Sequence, residues 1–181
     1  MENKLNIQTR PQLRRWLEEH NTTATQAWVP VLSKDHDALS YLAIVEECLC
    51  FGWIDSTKKR VDDTLLQRIS PRRKRGNWTQ LNIARAQRLM RLGLMTPAGL
   101  AALPADDSFI ICDDVLAAIA ADPEVQHHFT CMPPLYVRVR IDNIQSYSQD
   151  SETYQRRLEK FLQHTKQGRL YGDWNDDGRL P

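Results

Sequence analysis

Residues 40–53 constrain the fold more than any other stretch of the chain. In the run from Ser40 to Trp53, Glu46 and Glu47 are the main interruptions of an otherwise apolar segment. Tyr41, Ile44, Val45, Cys48 and Leu49 share one wide helical face, and a helix so apolar has to be enclosed by other elements. Ser40 starts it. Gly52 is placed to end it as a left-handed residue, a conformation glycine adopts at little steric cost. Ile44, Cys48, Leu49 and Phe51 are therefore expected in the core. Beyond Gly52, Trp53–Arg60 and Leu65–Ser70 read as the two strands of a hairpin, with Asp62-Asp63 at its turn.

Elements of both kinds flank this segment. Thr9 can cap a first helix, with Pro11 tolerated in its opening turn and Leu13, Trp16 and Leu17 on one face. Asn21-Thr22-Thr23 breaks that helix. Trp28–Ser33 reads as a strand, and Pro30 assigns it to an edge because proline has no ladder hydrogen to give. Asn77 and Gln80 resemble a capping box. The helix they open runs to Gly93, with Leu81, Ala84, Leu89 and Leu92 inward. Thr96-Pro97 and Asp122-Pro123 open short helices, and Ser151 caps a last helix ending at Gly168. Pro133-Pro134 marks a junction. The reading is an α+β fold: a small, mostly antiparallel sheet packed by helices, with a helical C-terminal part. The expected divisions are a mixed region over 1–103, a helical part over 104–168 and a tail over 169–181, loose or docked as an arm.

Composition narrows the function classes. The net charge of 181 residues is +1, whereas a general nucleic-acid binder usually carries a strongly basic domain. The N-terminus has no apolar run typical of a secretory signal, and no stretch approaches the roughly 18 apolar residues of a membrane helix. The expected compartment is the cytoplasm. Cys48, Cys50, Cys112 and Cys131 form no Cys-x-x-Cys pair and are expected to be reduced. His127-His128 lacks metal-ligand spacing, and no phosphate-loop or dinucleotide motif occurs. No metal and no cofactor is expected.

The basic segment carries the candidate site. Lys58, Lys59, Arg60, Arg68, Arg72, Arg73, Lys74 and Arg75 are countered nearby by Asp62 and Asp63, and the segment runs into a helix start at Trp78. Free N–H groups at a helix start favour anions, and arginine offers planar paired donors to phosphate or carboxylate. The bland alternative is a solvated loop whose arginines pair with Glu46, Glu47, Asp55 or Asp62. Trp53, Asp55, Arg72, Arg73, Arg75 and Trp78 are the candidate ligand-binding residues. Asp55 is either a general base or a partner for an arginine. Cys50 as a nucleophile would need a nearby base, and His36 is the nearest histidine in sequence; a buried structural thiol is the simpler reading.

Leu49-Cys50-Phe51-Gly52-Trp53-Ile54-Asp55-Ser56 is followed by Ser70-Pro71-Arg72-Arg73, Asn77-Trp78-Thr79, Asn82, Gly93, Met95 and Gly99. Together these blocks resemble the YdeI/OmpD-associated family, also described as bacteriocin-protection proteins. The resemblance is close over residues 10–103. It is looser in the C-terminal part, where Ser146-Tyr147 replaces a usual Ala-Lys pair; Gly76, before Asn77-Trp78, stands where a Ser is common. The resemblance implies a mixed N-terminal part, a helical C-terminal part and a role in stress or antimicrobial resistance. It implies no reaction. The leading reading is a non-enzymatic binding protein whose partner is a phosphate-bearing small molecule or an acidic protein. The alternatives are an enzyme using Asp55 with Arg72 and Arg73, or a protein–protein adaptor.

Overall fold

The computed structural model describes residues 3–32, 39–73, 76–105 and 108–180. Ser33, His36, Lys74 and Arg75 lie outside them. The chain divides into two compact units, one of residues 1–77 with 85–105 and one of residues 78–84 with 106–181.

The first unit contains α1 (Arg10–His20), β1 (Ala27–Val31), α2 (Tyr41–Cys50), β2 (Trp53–Val61) and β3 (Thr64–Pro71). It also holds most of α3 (Gln80–Arg91) and all of α4 (Pro97–Ala101). The three strands form an antiparallel sheet in the order β1-β3-β2. Together with the helices they make an α+β fold, and Pro30 lies on an edge strand as its missing donor requires. Thr9 caps α1 through a reciprocal box with Gln12. Ser40 caps α2 by accepting the Ala43 N–H at 3.1 Å. Ala43 through Cys50 are all buried, as the apolar circumference of α2 demands, and Phe51 is 5% exposed. Gly52 has φ +70°, and Asp62 takes φ +51° in the two-residue turn that closes on Val61 and Thr64.

Two helix details differ from expectation. The buried positions of α3 are Gln80, Ile83, Ala86 and Leu89, whereas Leu92 is 53% exposed. Of the expected inward residues, Leu89 is fully buried and Leu81 and Ala84 are half-buried. The first turn of α3 is also capped differently: Thr79 Oγ1 accepts the Asn82 N–H at 3.2 Å and Asp142 accepts the Gln80 N–H at 3.0 Å. The Gln80 side chain accepts from Arg138 Nε instead of reaching back to Asn77.

The second unit contains α5 (Asp113–Ala120), α6 (Pro123–Thr130), α7 (Pro134–Gln145) and α8 (Ser151–Lys166), with the start of α3. Asp122 caps α6 as expected. Asp150, not Ser151, caps α8. Pro133-Pro134 opens α7 inside the unit, where proline suits a first turn, and no boundary falls there. Val115, Tyr136, Ile141, Ile144, Leu158 and Phe161 form the core. The C-terminal arm is docked: Leu180 is 3% exposed, and Tyr171 and Trp174 stand edge-on to Tyr136.

Candidate functional site

The site grows from the hinge between α2 and β2. Gly52 turns the chain so that Trp53 and Asp55, two residues apart on a strand, share one face. Trp53 is 1% exposed, stands edge-on to Trp16 at 5.7 Å and donates its indole N–H to the Asn21 carbonyl at 3.3 Å. It belongs to the core, which leaves it no ring face for a ligand. Asp55 is half-buried, and its Oδ2 accepts the Tyr41 hydroxyl at 2.8 Å. Burial and the Asp55 charge both raise the Tyr41 hydroxyl above its ordinary value, while Arg85 pulls it back. Tyr41 therefore holds its proton and serves as the donor of the pair.

A β-bulge brings a cation to the same place. Asp55 pairs with Ile69 and Lys58 with Gln67, so Ser56 and Thr57 together oppose Arg68. The extra residue shifts the alternation by one and re-aims Lys58. Its Nζ lies 3.8 Å from the centre of the Tyr41 ring. Gln67 fits the bulge by donating to the Thr57 carbonyl at 3.4 Å.

Arg72 follows the end of β3. Its N–H bonds the Gly52 carbonyl at 2.9 Å, and its Nη1 donates to the Asn77 carbonyl at 2.8 Å. Burial lowers the Arg72 guanidinium below its ordinary value, with Asp55 and Cys48 acting in the opposite sense. Tyr41, Asp55, Lys58 and Arg72 thus make one polar cluster over the buried Cys48. Arg73 is exposed, and its side chain makes no hydrogen bond or ion pair among the described residues. Arg75 lies outside the described residues. Trp78 is half-buried and falls in the second unit.

Of the acidic partners named for the bland reading, Asp55 does act on Arg72, whereas Glu46 and Glu47 are engaged elsewhere. Glu46 and Glu47 are each 2% exposed; Arg10 bonds both, at 2.5 Å and 2.7 Å, Arg14 bonds Glu47 and Arg88 bonds Glu46. The helix start expected to attract an external anion holds an internal one, Asp142, on the Gln80 N–H. Cys50 is fully buried and its thiol is pushed up to about 11, chiefly by burial, which suits packing and not attack. Burial also pushes the Cys48 thiol well up. Among the described residues no cluster of His, Cys, Asp or Glu could hold a metal ion. No helix among them is long and apolar enough to cross a membrane.

Sequence reasoning placed Tyr41 on a core face and Lys58 in a charge run, and missed that they meet. The bulge that unites them leaves no mark in residue types. The second unit has an open groove of about 560 Å³ between Phe109, Ile111, Phe129, Pro134 and Val137, with Arg138 beside it.

Residues 5–102 match the family model described as Domain of unknown function (DUF8412). Residues 108–168 match the family described as Bacteriocin-protection, YdeI or OmpD-Associated. The blocks around Gly52 and Arg72 lie in the first of these spans, and the named family falls on the part that resembles it more loosely. No curated protein and no solved structure matches the chain. The chain belongs to the DUF8412 family over its first half, and joins to that half a domain of the bacteriocin-protection, YdeI or OmpD-associated family.

Proposed function

We propose that the chain is a non-enzymatic cytoplasmic binding protein. Its first unit takes a small phosphate- or carboxylate-bearing anion, in the service of the bacteriocin protection after which the second domain's family is named. One observation carries the reading: Arg72 feels the charge of a single carboxylate, Asp55, which already spends one oxygen on Tyr41, and Lys58 lies over the Tyr41 ring. The cluster is left with an excess of positive charge in a half-buried setting, where an anion gains most from planar arginine donors. Arg73, exposed beside Arg72, would add charge.

Calorimetric titration with inorganic phosphate and nucleotides tests this, alongside thermal melts. Arg72→Gln with Arg73→Ala keeps a donor for the Asn77 carbonyl while removing both guanidinium groups. The wild type should bind, more weakly as salt is raised. The variant should lose binding and keep its melting temperature. A wild type that binds nothing, with a variant that melts clearly lower, returns these arginines to a structural role. The Tyr41–Asp55 bond at 2.8 Å beside Arg72 also favours a second reading, an enzyme with Asp55 as acid or base. Turnover of a phosphate monoester that Asp55→Asn abolishes would select it.

A further inference from the structure

We propose that the free edge of β2 docks an extended acidic segment of a partner protein by strand addition. The sheet order β1-β3-β2 leaves two edges, and they are treated differently. On β1, Pro30 removes one donor, and the N-terminal chain covers part of the rest. There the Trp28 N–H bonds the Asn3 carbonyl and the Leu5 N–H bonds the Trp28 carbonyl, each at 2.9 Å. β2 is nine residues long, and among the described residues the main chain of residues 54–61 bonds no main chain besides its ladder to β3. Ser56 through Arg60 are exposed. In an antiparallel pair every second residue turns its N–H and C=O away from its partner, so this edge offers an unfilled ladder.

Charge identifies the occupant. Lys58, Lys59 and Arg60 are consecutive, so their side chains lie on both faces of the edge. None of the three forms an ion pair among the described residues; Arg60 donates to the Asp63 carbonyl at 3.4 Å. An incoming strand with acidic residues on both faces meets an opposite charge at each position. A second copy of β2 would set cations against cations, which is destabilising directly across a sheet. A nucleic-acid chain has no alternating donors and acceptors to continue the ladder, and Asp62 and Asp63 stand beside it. The surface adjoins the anion cluster at Lys58, whereas Lys59 and Arg60 take no part in that cluster and can be substituted without touching it.

The test uses the full chain and a short synthetic peptide of consecutive glutamates flanked by valines, which puts glutamates on both faces of an extended strand. Controls are the lysine–valine peptide, a glutamate–valine peptide with a central proline, and a thymidine oligonucleotide. Amide hydrogen exchange and fluorescence anisotropy are the readouts. The acidic peptide should slow exchange on β2 between Lys58 and Val61, and saturating phosphate should leave it bound. Lys59→Glu with Arg60→Glu should weaken binding by at least about tenfold. Lys59→Gln with Arg60→Gln should weaken it less, with both melting temperatures unchanged. Absence of protection on β2, equal binding of the lysine or proline peptide, or tighter binding of the oligonucleotide would overturn the proposal.

Discussion

Gly52 and Gly99 stand on either side of one close approach. A Cβ on Gly52 would lie 2.8 Å from the Ala98 carbonyl oxygen, and one on Gly99 would lie 2.2 Å from the Cys50 carbonyl oxygen. That carbonyl also accepts the Thr96 N–H at 3.0 Å and its hydroxyl at 2.6 Å, so α4 is tied to the end of α2 by main-chain atoms that cannot rotate aside. Gly52 carries the further demand of φ +70°. Gly52→Ala should cost at least about 1 kcal/mol, and Gly99→Ala more, because its Cβ would press closer on backbone, 2.2 Å against 2.8 Å. Urea denaturation of each variant measures this; midpoints equal to the wild type would contradict it. Leu49, 1% exposed, is an ordinary core position by comparison, and Leu49→Ala should cost roughly 2–5 kcal/mol in the same assay. The φ of Gly52 was legible because a helix end followed by a bulky residue demands it. The approach of α4 was not, because no local pattern reports which carbonyl a glycine will meet.

At the scale of elements, α2 buries two carboxylates that its sequence shows as the polar side of a helix. Arg10 and Arg14 come from α1 and Arg88 from α3, so the network ties three helices together. Buried pairs add little over an apolar core, but removing one partner leaves a charge without compensation. Arg10→Ala frees an oxygen on both carboxylates and should destabilise by about 3 kcal/mol; a chemical-denaturation midpoint unaltered by it would show the network to be dispensable. The amphipathic period of α1 and the apolar run of α2 were readable from local residues. The pairing of Arg10 with Glu46 was not, since residues 36 apart meet only through the tertiary fold. The start of α3 gives a pH prediction. Burial raises the Asp142 carboxyl above the ordinary carboxylate value, with the Gln80 N–H acting in the opposite sense. A raised acid binds its proton more tightly when folded. Its contribution is therefore present below the ordinary value and is lost as pH climbs through the raised one. Asp142→Asn keeps an oxygen for the Gln80 N–H and removes the titration. Stability of the wild type relative to this variant should fall as pH rises from about 3 to about 7. A difference constant with pH, read by thermal melts, would contradict this assignment.

Across the whole molecule, each unit has a core of its own, and the second is completed by the arm after α8. Tyr136, fully buried, is the centre on which Phe161, Tyr171 and Trp174 converge. Arg140 fixes the arm by donating to the Asp173 carbonyl at 2.8 Å. Trp174→Ala should destabilise by roughly 3 kcal/mol; a melting temperature equal to the wild type would show the arm to be only laid on the surface. The sparse apolar content of residues 169–181 left open whether the arm docks, since two aromatic rings and Leu180 suffice when a matching core is present. The candidate site was legible in the same partial way. Asp55, Arg72 and Arg73 stood out by charge, whereas Trp53 proved to be core and Tyr41 entered only through the bulge. On the proposed reading, the first unit holds an anion at Tyr41, Asp55, Lys58 and Arg72. A chemical-shift map of the full chain during titration with inorganic phosphate tests it most directly. Saturable shifts are expected at the Arg72 Nε–H and at the amides of Asp55 and Lys58, with the Arg10, Arg14 and Arg88 signals unmoved; shifts confined to those three arginines, or none at any phosphate concentration, would rule the anion site out.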